Sequence, residues 1–280
     1  MRTIETGEIT RNIKEMCIEA NHFLSPDMER AVKEAARTEE SPLGKQILGQ
    51  LQDNLGIAKR DMIPICQDTG MAVVFLEIGQ DLHLTGGNLT QAVNEGVRQG
   101  YTEGYLRKSV VKDPLIRENT GDNTPAVIHC EIVPGERLKI TLAPKGFGSE
   151  NMSRVFMLKP ADGIEGVKDA VLTAIKDAGP NACPPMVVGV GIGGTFEKCA
   201  LMAKHALTRP IDLRSEIPYV RELEEEMLSQ INKTGIGPGG LGGTTTALAV
   251  NIETYPTHIA GLPVAVNICC HVNRHVVRIL

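Results

Sequence analysis

Cys66, Gln67 and Asp68 set a thiol, an amide and a carboxylate side by side in ICQDTG, just before the apolar run MAVVFLEIG. A thiolate is a metal ligand, a carboxylate can move protons, and an amide can orient a polar ligand through both its donors and its acceptor. Two further cysteines stand where the chain changes direction: Cys183 in NACPPM, and Cys270 at the end of NICC, before His271. Cys17 and Cys199 fall instead within helical patterns and Cys130 within a strand pattern, where a free cysteine is ordinarily a small buried hydrophobe. Cys269 and Cys270 alternate along one strand, so only one of them can face a common site. The seven cysteines form an odd, widely spaced set with no secretory signal ahead of them, and a disulfide framework is not expected. Nor does the spacing of Cys66, Cys183 and Cys270 match a ferredoxin run or the paired knuckles of a zinc ribbon.

Other segments could bind anions. Gly189 to Gly194 reads GVGIGG after an apolar strand and before a helix, which fits a dinucleotide-binding turn. No strand ending in Asp or Glu follows about 20 residues later to hold a ribose, so tight strand-to-helix packing is the simpler reading. Backbone N–H groups at a helix start would still favour a carboxylate. Lys145 could steer anions or be a solvated surface lysine. Thr244 to Thr246, behind the glycine-rich stretch GIGPGGLGG (235–243), could border a site, and nothing in their spacing decides it.

The elements that must position these residues follow from periodicity and punctuation. The first 60 residues read as helices, with Ser25-Pro26-Asp27 and Ser41-Pro42 as starts. NLTQAVNEGVRQGYTEGYLR (88–107) reads as another helix, capped by Asn88. MAVVFLEIG (71–79) is a strand, and AVIHCEIV and RLKITLAP form an expected hairpin around Pro134-Gly135-Glu136. From residue 163 a helix, the strand MVVGVGIGG and a helix through FEKCALMAKHAL give an α/β rhythm. The charged segment VRELEEEMLSQINKTG is expected to be a solvated surface helix, and TALAVNIETY and LPVAVNICC are closing strands. The fold class is therefore α+β (mixed α/β): an N-terminal helical region over 1–60, then a mixed sheet flanked by helices over 61–280, in a single domain over 1–280 with its functional residues at strand ends and loops. No internal repeat is visible.

Composition excludes some functions. A net charge of −5 with scattered lysines and arginines gives no footprint for nucleic acid. No apolar run reaches the roughly 20 residues needed to span a bilayer, and the N-terminus lacks a basic region followed by an apolar core. A cytoplasmic protein is expected.

Taken together, ICQDTG, LRKS (106–109), NTGDNTPA (119–126), KGFGSEN (145–151), NACPP with its glycine run, and THIAGLPVAVNICC cover nearly the whole chain. They resemble the iron-sulfur (class I) fumarate hydratases and their relatives, the tartrate dehydratases. That resemblance implies a 4Fe-4S cluster held by Cys66, Cys183 and Cys270, with one iron left for substrate. It implies proton transfer by Asp68 and substrate contacts from Gln67, Arg107, Gly148 and His258. Taken without it, Arg107 and His258 would be ordinary solvated residues. Single-chain members are about twice as long and are matched only over their N-terminal part. A β subunit is thus the implied partner, completing the site in an α2β2 assembly. The implied reaction is hydration of fumarate to (S)-malate, or alternatively dehydration of tartrate to oxaloacetate, and no residue of this chain separates the two. A nicotinamide-dependent oxidoreductase, resting on GVGIGG alone, and a metal-binding subunit without chemistry are rivals from other classes.

Overall fold

A computed structural model describes residues 2–280. Its helices are α1 (Thr6–His22), α2 (Pro26–Thr38), α3 (Pro42–Asp61), α4 (Leu89–Glu103), the single turn α5 (Phe147–Glu150), α6 (Gly163–Ala178), α7 (Phe196–Ala206) and α8 (Pro218–Asn232). Its strands are β1 (Arg2–Glu5), β2 (Met71–Gly79), β3 (Leu82–Thr85), β4 (Val127–Val133), β5 (Leu138–Lys145), β6 (Arg154–Leu158), β7 (Met186–Gly193), β8 (Ala247–Tyr255), β9 (Leu262–Cys269) and β10 (Val276–Ile279). The α+β class holds, with the strands shared between two four-stranded mixed sheets and a short parallel pair, β1 with β3. By internal contacts the chain forms two compact units. One takes residues through Ser25, Leu55–Gly146 and Arg274–Leu280, and the other takes Pro26–Asn54 and Phe147–Asn273.

In the first unit the sheet order is β10-β5-β2-β4. The expected hairpin between β4 and β5 does not form: β2 lies between them, parallel to β4 and antiparallel to β5. Residues Ala72 to Leu76 are all buried, and an apolar run buried on both faces belongs at the centre of a sheet. β4 is left at the edge, so Cys130 is exposed rather than in the core. Helices α1 and α4 cover the sheet, packing Ile9, Ile13, Met16, Val93 and Val97 against Leu138, Ile140 and Leu142. The two helices approach closely because Gly96 and Gly100 face α1. A Cβ on either would fall 2.7 Å from a side chain of that helix. Asn88 caps α4 as expected, its side chain accepting from the Gln91 amide at 3.0 Å, but the helix ends at Glu103 and leaves LRKS in a loop.

In the second unit the order is β6-β9-β7-β8. Met186, Val188 and Val190 of β7 point into the core formed with α6 and α8. On the opposite face lie Gly189 and Gly191, where α7 sits. The alternation is that of a strand buried on both sides. A Cβ on Gly189 would stand 2.0 Å from the Ala203 carbonyl oxygen, and one on Gly191 would stand 2.1 Å from that of Cys199. The glycine run is thus the surface on which α7 packs. Helix α8 is not simply a solvated rod: Val220, Leu223, Met227 and Ile231 are buried, as is Glu224. The Glu224 carboxylate binds Arg209 and accepts from the amides of Ser215 and Ile252. A charged residue can occupy that inward face because every one of these partners is supplied. Among the described residues no helix is long and apolar enough to cross a membrane.

Candidate active site

In the first unit ICQDTG forms the loop that enters β2. Gln67 is exposed, and Cys66 and Asp68 are half-buried. Asp68 Oδ1 accepts from the Gly70 amide at 3.0 Å, an Asx turn of the kind aspartate favours, so the carboxylate shapes its own loop. The following carbonyls are all taken by buried side chains. The Tyr101 hydroxyl lies 2.8 Å from Thr69 O and 2.9 Å from Gly70 O and donates to this pair. Asn123 Nδ2 donates to Gly70 O at 3.1 Å, and Arg274 donates to Asp68 O. Burial raises the Tyr101 hydroxyl far above its ordinary pKa, which keeps it a donor at every pH of interest. Gly70, at φ +79°, lies so close to β5 that a Cβ would sit 2.8 Å from the Lys145 backbone. Lys145 is 6% exposed, which rules out the solvated surface lysine.

Arg107 is brought to this same loop. Thr69 Oγ1 donates to Arg107 O at 3.1 Å, and Asn123 Oδ1 accepts from the Ser109 amide at 2.7 Å. One buried asparagine thereby ties both segments. The Arg107 side chain itself is exposed, where its planar fork can meet a carboxylate.

The second unit gathers Cys183 and Cys270. Cys183 is exposed on the loop entering β7 and holds a left-handed backbone, φ 51° and ψ 63°, uncommon for a side-chain-bearing residue and often found at functional sites. Its carbonyl oxygen lies 3.1 Å from His271 Nδ1 and accepts from the His271 amide at 3.4 Å, so the chain just past Cys270 lies against it. Cys269, the last residue of β9, is buried, and Cys270, just past the strand, is half-buried. Gly148 is exposed in α5, and a Cβ there would approach only Asn181 O, at 4.0 Å. His258 is exposed in the β8–β9 connection, its Nδ1 accepting from the Ala260 amide at 3.2 Å.

Thr244 to Thr246 prove to be architectural. Glu39, 1% exposed, accepts from the amides of Thr244 and Thr245, each at 2.8 Å, and from the Thr244 hydroxyl at 3.1 Å. The Thr246 hydroxyl accepts from the Gly237 amide at 3.1 Å. This carboxylate pins the end of the glycine-rich loop to the turn between α2 and α3. Tyr101, Asn123, Arg274 and Glu39 were not singled out from sequence. Only Asn123 carried a signal, as part of NTGDNTPA.

Cys66, Cys183 and Cys270 stand on loops at strand ends with accessible or half-buried thiols, whereas Cys17, Cys199 and Cys269 are buried. Burial also raises the Cys17 and Cys199 thiols above their ordinary pKa, which disfavours thiolate and hence metal ligation. Among the described residues no three His, Cys, Asp or Glu side chains are gathered closely enough to hold a single metal ion.

Comparison with known proteins gives the class. Residues 10–278 match the model of the fumarate hydratase (Fumerase) family, and the chain belongs to that family, whose enzymes are hydro-lyases. More particularly, it is 41% identical over 277 residues, 97% of each chain, to the "Putative L(+)-tartrate dehydratase subunit alpha" of Methanocaldococcus jannaschii. It is 32% identical over 251 residues to the L(+)-tartrate dehydratase subunits alpha of Escherichia coli and Shigella sonnei, covering 89% of this chain and 82% of each relative.

Proposed function

We propose that the chain is the α subunit of a cytoplasmic iron-sulfur hydro-lyase that hydrates fumarate reversibly to (S)-malate, with Cys66, Cys183 and Cys270 holding a 4Fe-4S cluster. The observation that carries this reading is the ICQDTG loop, where a half-buried thiol is followed two residues later by a carboxylate held in place through its own backbone. When bound, the cluster supplies an iron with an open coordination position, a Lewis acid for the hydroxyl oxygen. This chain's side chains do the rest. Arg107 binds one substrate carboxylate through a two-donor fork. Gln67 and the backbone at Gly148 orient the substrate, and His258 donates to an anionic group. Asp68 moves the proton at the carbon next to the one that gains or loses hydroxyl. A β subunit, in an α2β2 assembly, completes the site, in keeping with the relatives' names as α subunits. Those names also favour a second reading, dehydration of L(+)-tartrate to oxaloacetate, which would use the same residues.

Anaerobic purification of the chain with its companion subunit, followed by assay on both substrates, tests the proposal. Fumarate turnover with about four irons and four sulfides per chain is the expected result. Tartrate turnover alone would replace the substrate, and activity on neither would overturn the reading. Asp68→Asn should keep its iron and lose about 10²- to 10⁴-fold in kcat. Full turnover by that variant removes Asp68 from proton transfer.

A further inference from the structure

Arg274 comes four residues after Cys270 and has no role in the proposed chemistry. It is 4% exposed. Nη2 donates to Asp68 O and Nε donates to Pro144 O at 3.4 Å, while Nη1 is buried without a hydrogen-bond partner. A guanidinium taken out of water and set against neutral carbonyls is costly, so its presence here calls for a role. The two carbonyls belong to the loop entering β2 and to the last residues of β5, the segments that meet where Asp68 emerges. A Cβ on Gly146, two residues past Pro144, would stand 3.1 Å from Asp68 Oδ2, so the carboxylate lies directly over the end of β5. Tyr101 and Asn123 fix the next two carbonyls of the loop, and Arg274 holds that of Asp68 itself.

We propose that Arg274 is the positioning residue for Asp68: its planar fork spans the two segments and sets where the carboxylate stands. The inference rests on the hydro-lyase reading for its consequence in catalysis but not for its consequence in loop order. Lysine keeps the charge yet offers one compact donor group that cannot reproduce the fork.

Arg274→Lys is the test, in the full chain purified anaerobically with its companion subunit. Amide exchange over residues 65–72 should rise about tenfold or more, with exchange in β7 and β9 unchanged. At wild-type iron content, kcat should fall about 10- to 100-fold with KM within about threefold, the signature of a misplaced reacting group. Wild-type exchange with kcat within twofold overturns the proposal. So does a raised KM at unchanged kcat, which would make Arg274 a substrate contact, and so does loss of iron, which would tie it to the cluster. Arg274→Gln should show larger changes of the same kind, and where it does not accumulate the lysine variant decides. A wild-type enzyme inactive on both fumarate and tartrate would defeat the hydro-lyase reading instead, and the exchange comparison would still judge Arg274.

Discussion

The two units carry the same sheet in two chain orders. In the first, read across the sheet, β4 is parallel to β2, and β2, β5 and β10 are successively antiparallel. In the second, β8 is parallel to β7, and β7, β9 and β6 are successively antiparallel. Moving β10 from the end of the first set to its front reproduces the second. The candidate site residues occupy matching corners as well. ICQDTG enters β2, whose Met71 pairs with Lys145 at the end of β5, and NACPP enters β7, whose Val187 pairs with Cys269 at the end of β9. What differs is the loop chemistry: a thiol, an amide and a carboxylate at one corner, and two cysteines at the other. A shared frame fixes where residues emerge, and the loops decide what they do.

The hardest test of this correspondence is to remove a thiol from each corner. Cys66→Ser, Cys183→Ser and Cys270→Ser should each abolish bound iron and sulfide, whereas Cys17→Ser and Cys199→Ser should retain both, measured on anaerobically reconstituted protein. Full iron in Cys183→Ser would remove the second unit's corner from the ligand set.

A smaller effect separates, within the second unit, a glycine packed beneath a helix from one with open space around it. Gly191 leaves no room for a side chain beneath α7, since its Cβ would meet a backbone oxygen at 2.1 Å, so Gly191→Ala should cost about 3 kcal/mol or more by overpacking. Gly49 of α3 has nothing within 4 Å of its Cβ position, and alanine there should stabilise by up to about 1 kcal/mol through helix propensity. Urea unfolding of both variants checks the pair. Equal effects would mean that the glycine run is not a packing surface.

Much of this frame was legible in the sequence because periodicity and punctuation are local. The bounds of β2, α6, β7 and α7 follow from apolar runs ended by glycine or proline. The β4–β5 hairpin failed because adjacency in sequence was taken for adjacency in the sheet, while the fully buried β2 had the stronger claim to the central place. The repeated sheet stayed hidden because it is permuted and shares backbone topology rather than side chains. At the candidate site the thiols and Asp68 could be named from motif context. The buried donors that fix the loop could not, since Tyr101 reads as an apolar helix position and Arg274 as a charged residue near the chain's end. Only the fold shows which carbonyls they reach.

The finest contrast between the units is that Tyr101 holds its loop as a neutral donor, beside the Arg274 guanidinium, whereas Glu39 holds the other loop as a charged acceptor. Burial alone would raise the Glu39 carboxyl. Hydrogen bonds from Thr244, Ser41 and Thr245 outweigh it and lower its pKa to about 2. The folded value lies below the unfolded one, so the stabilisation is complete above the ordinary carboxylate range and is lost as pH falls from about 5 toward about 2. Tyr101 has no such window, since its pKa is raised and its proton stays in place down to the lowest pH. Acid should therefore loosen the 235–246 segment before it loosens residues 66–70, as amide exchange or limited proteolysis at pH 3 to 4 would read. Glu39→Gln should cost about 2 kcal/mol at neutral pH, the scale of hydrogen bonds to a charged acceptor, and should flatten the acid limb of the stability profile. An unchanged acid limb in that variant would place the acid sensitivity elsewhere and leave both clamps equally indifferent to pH.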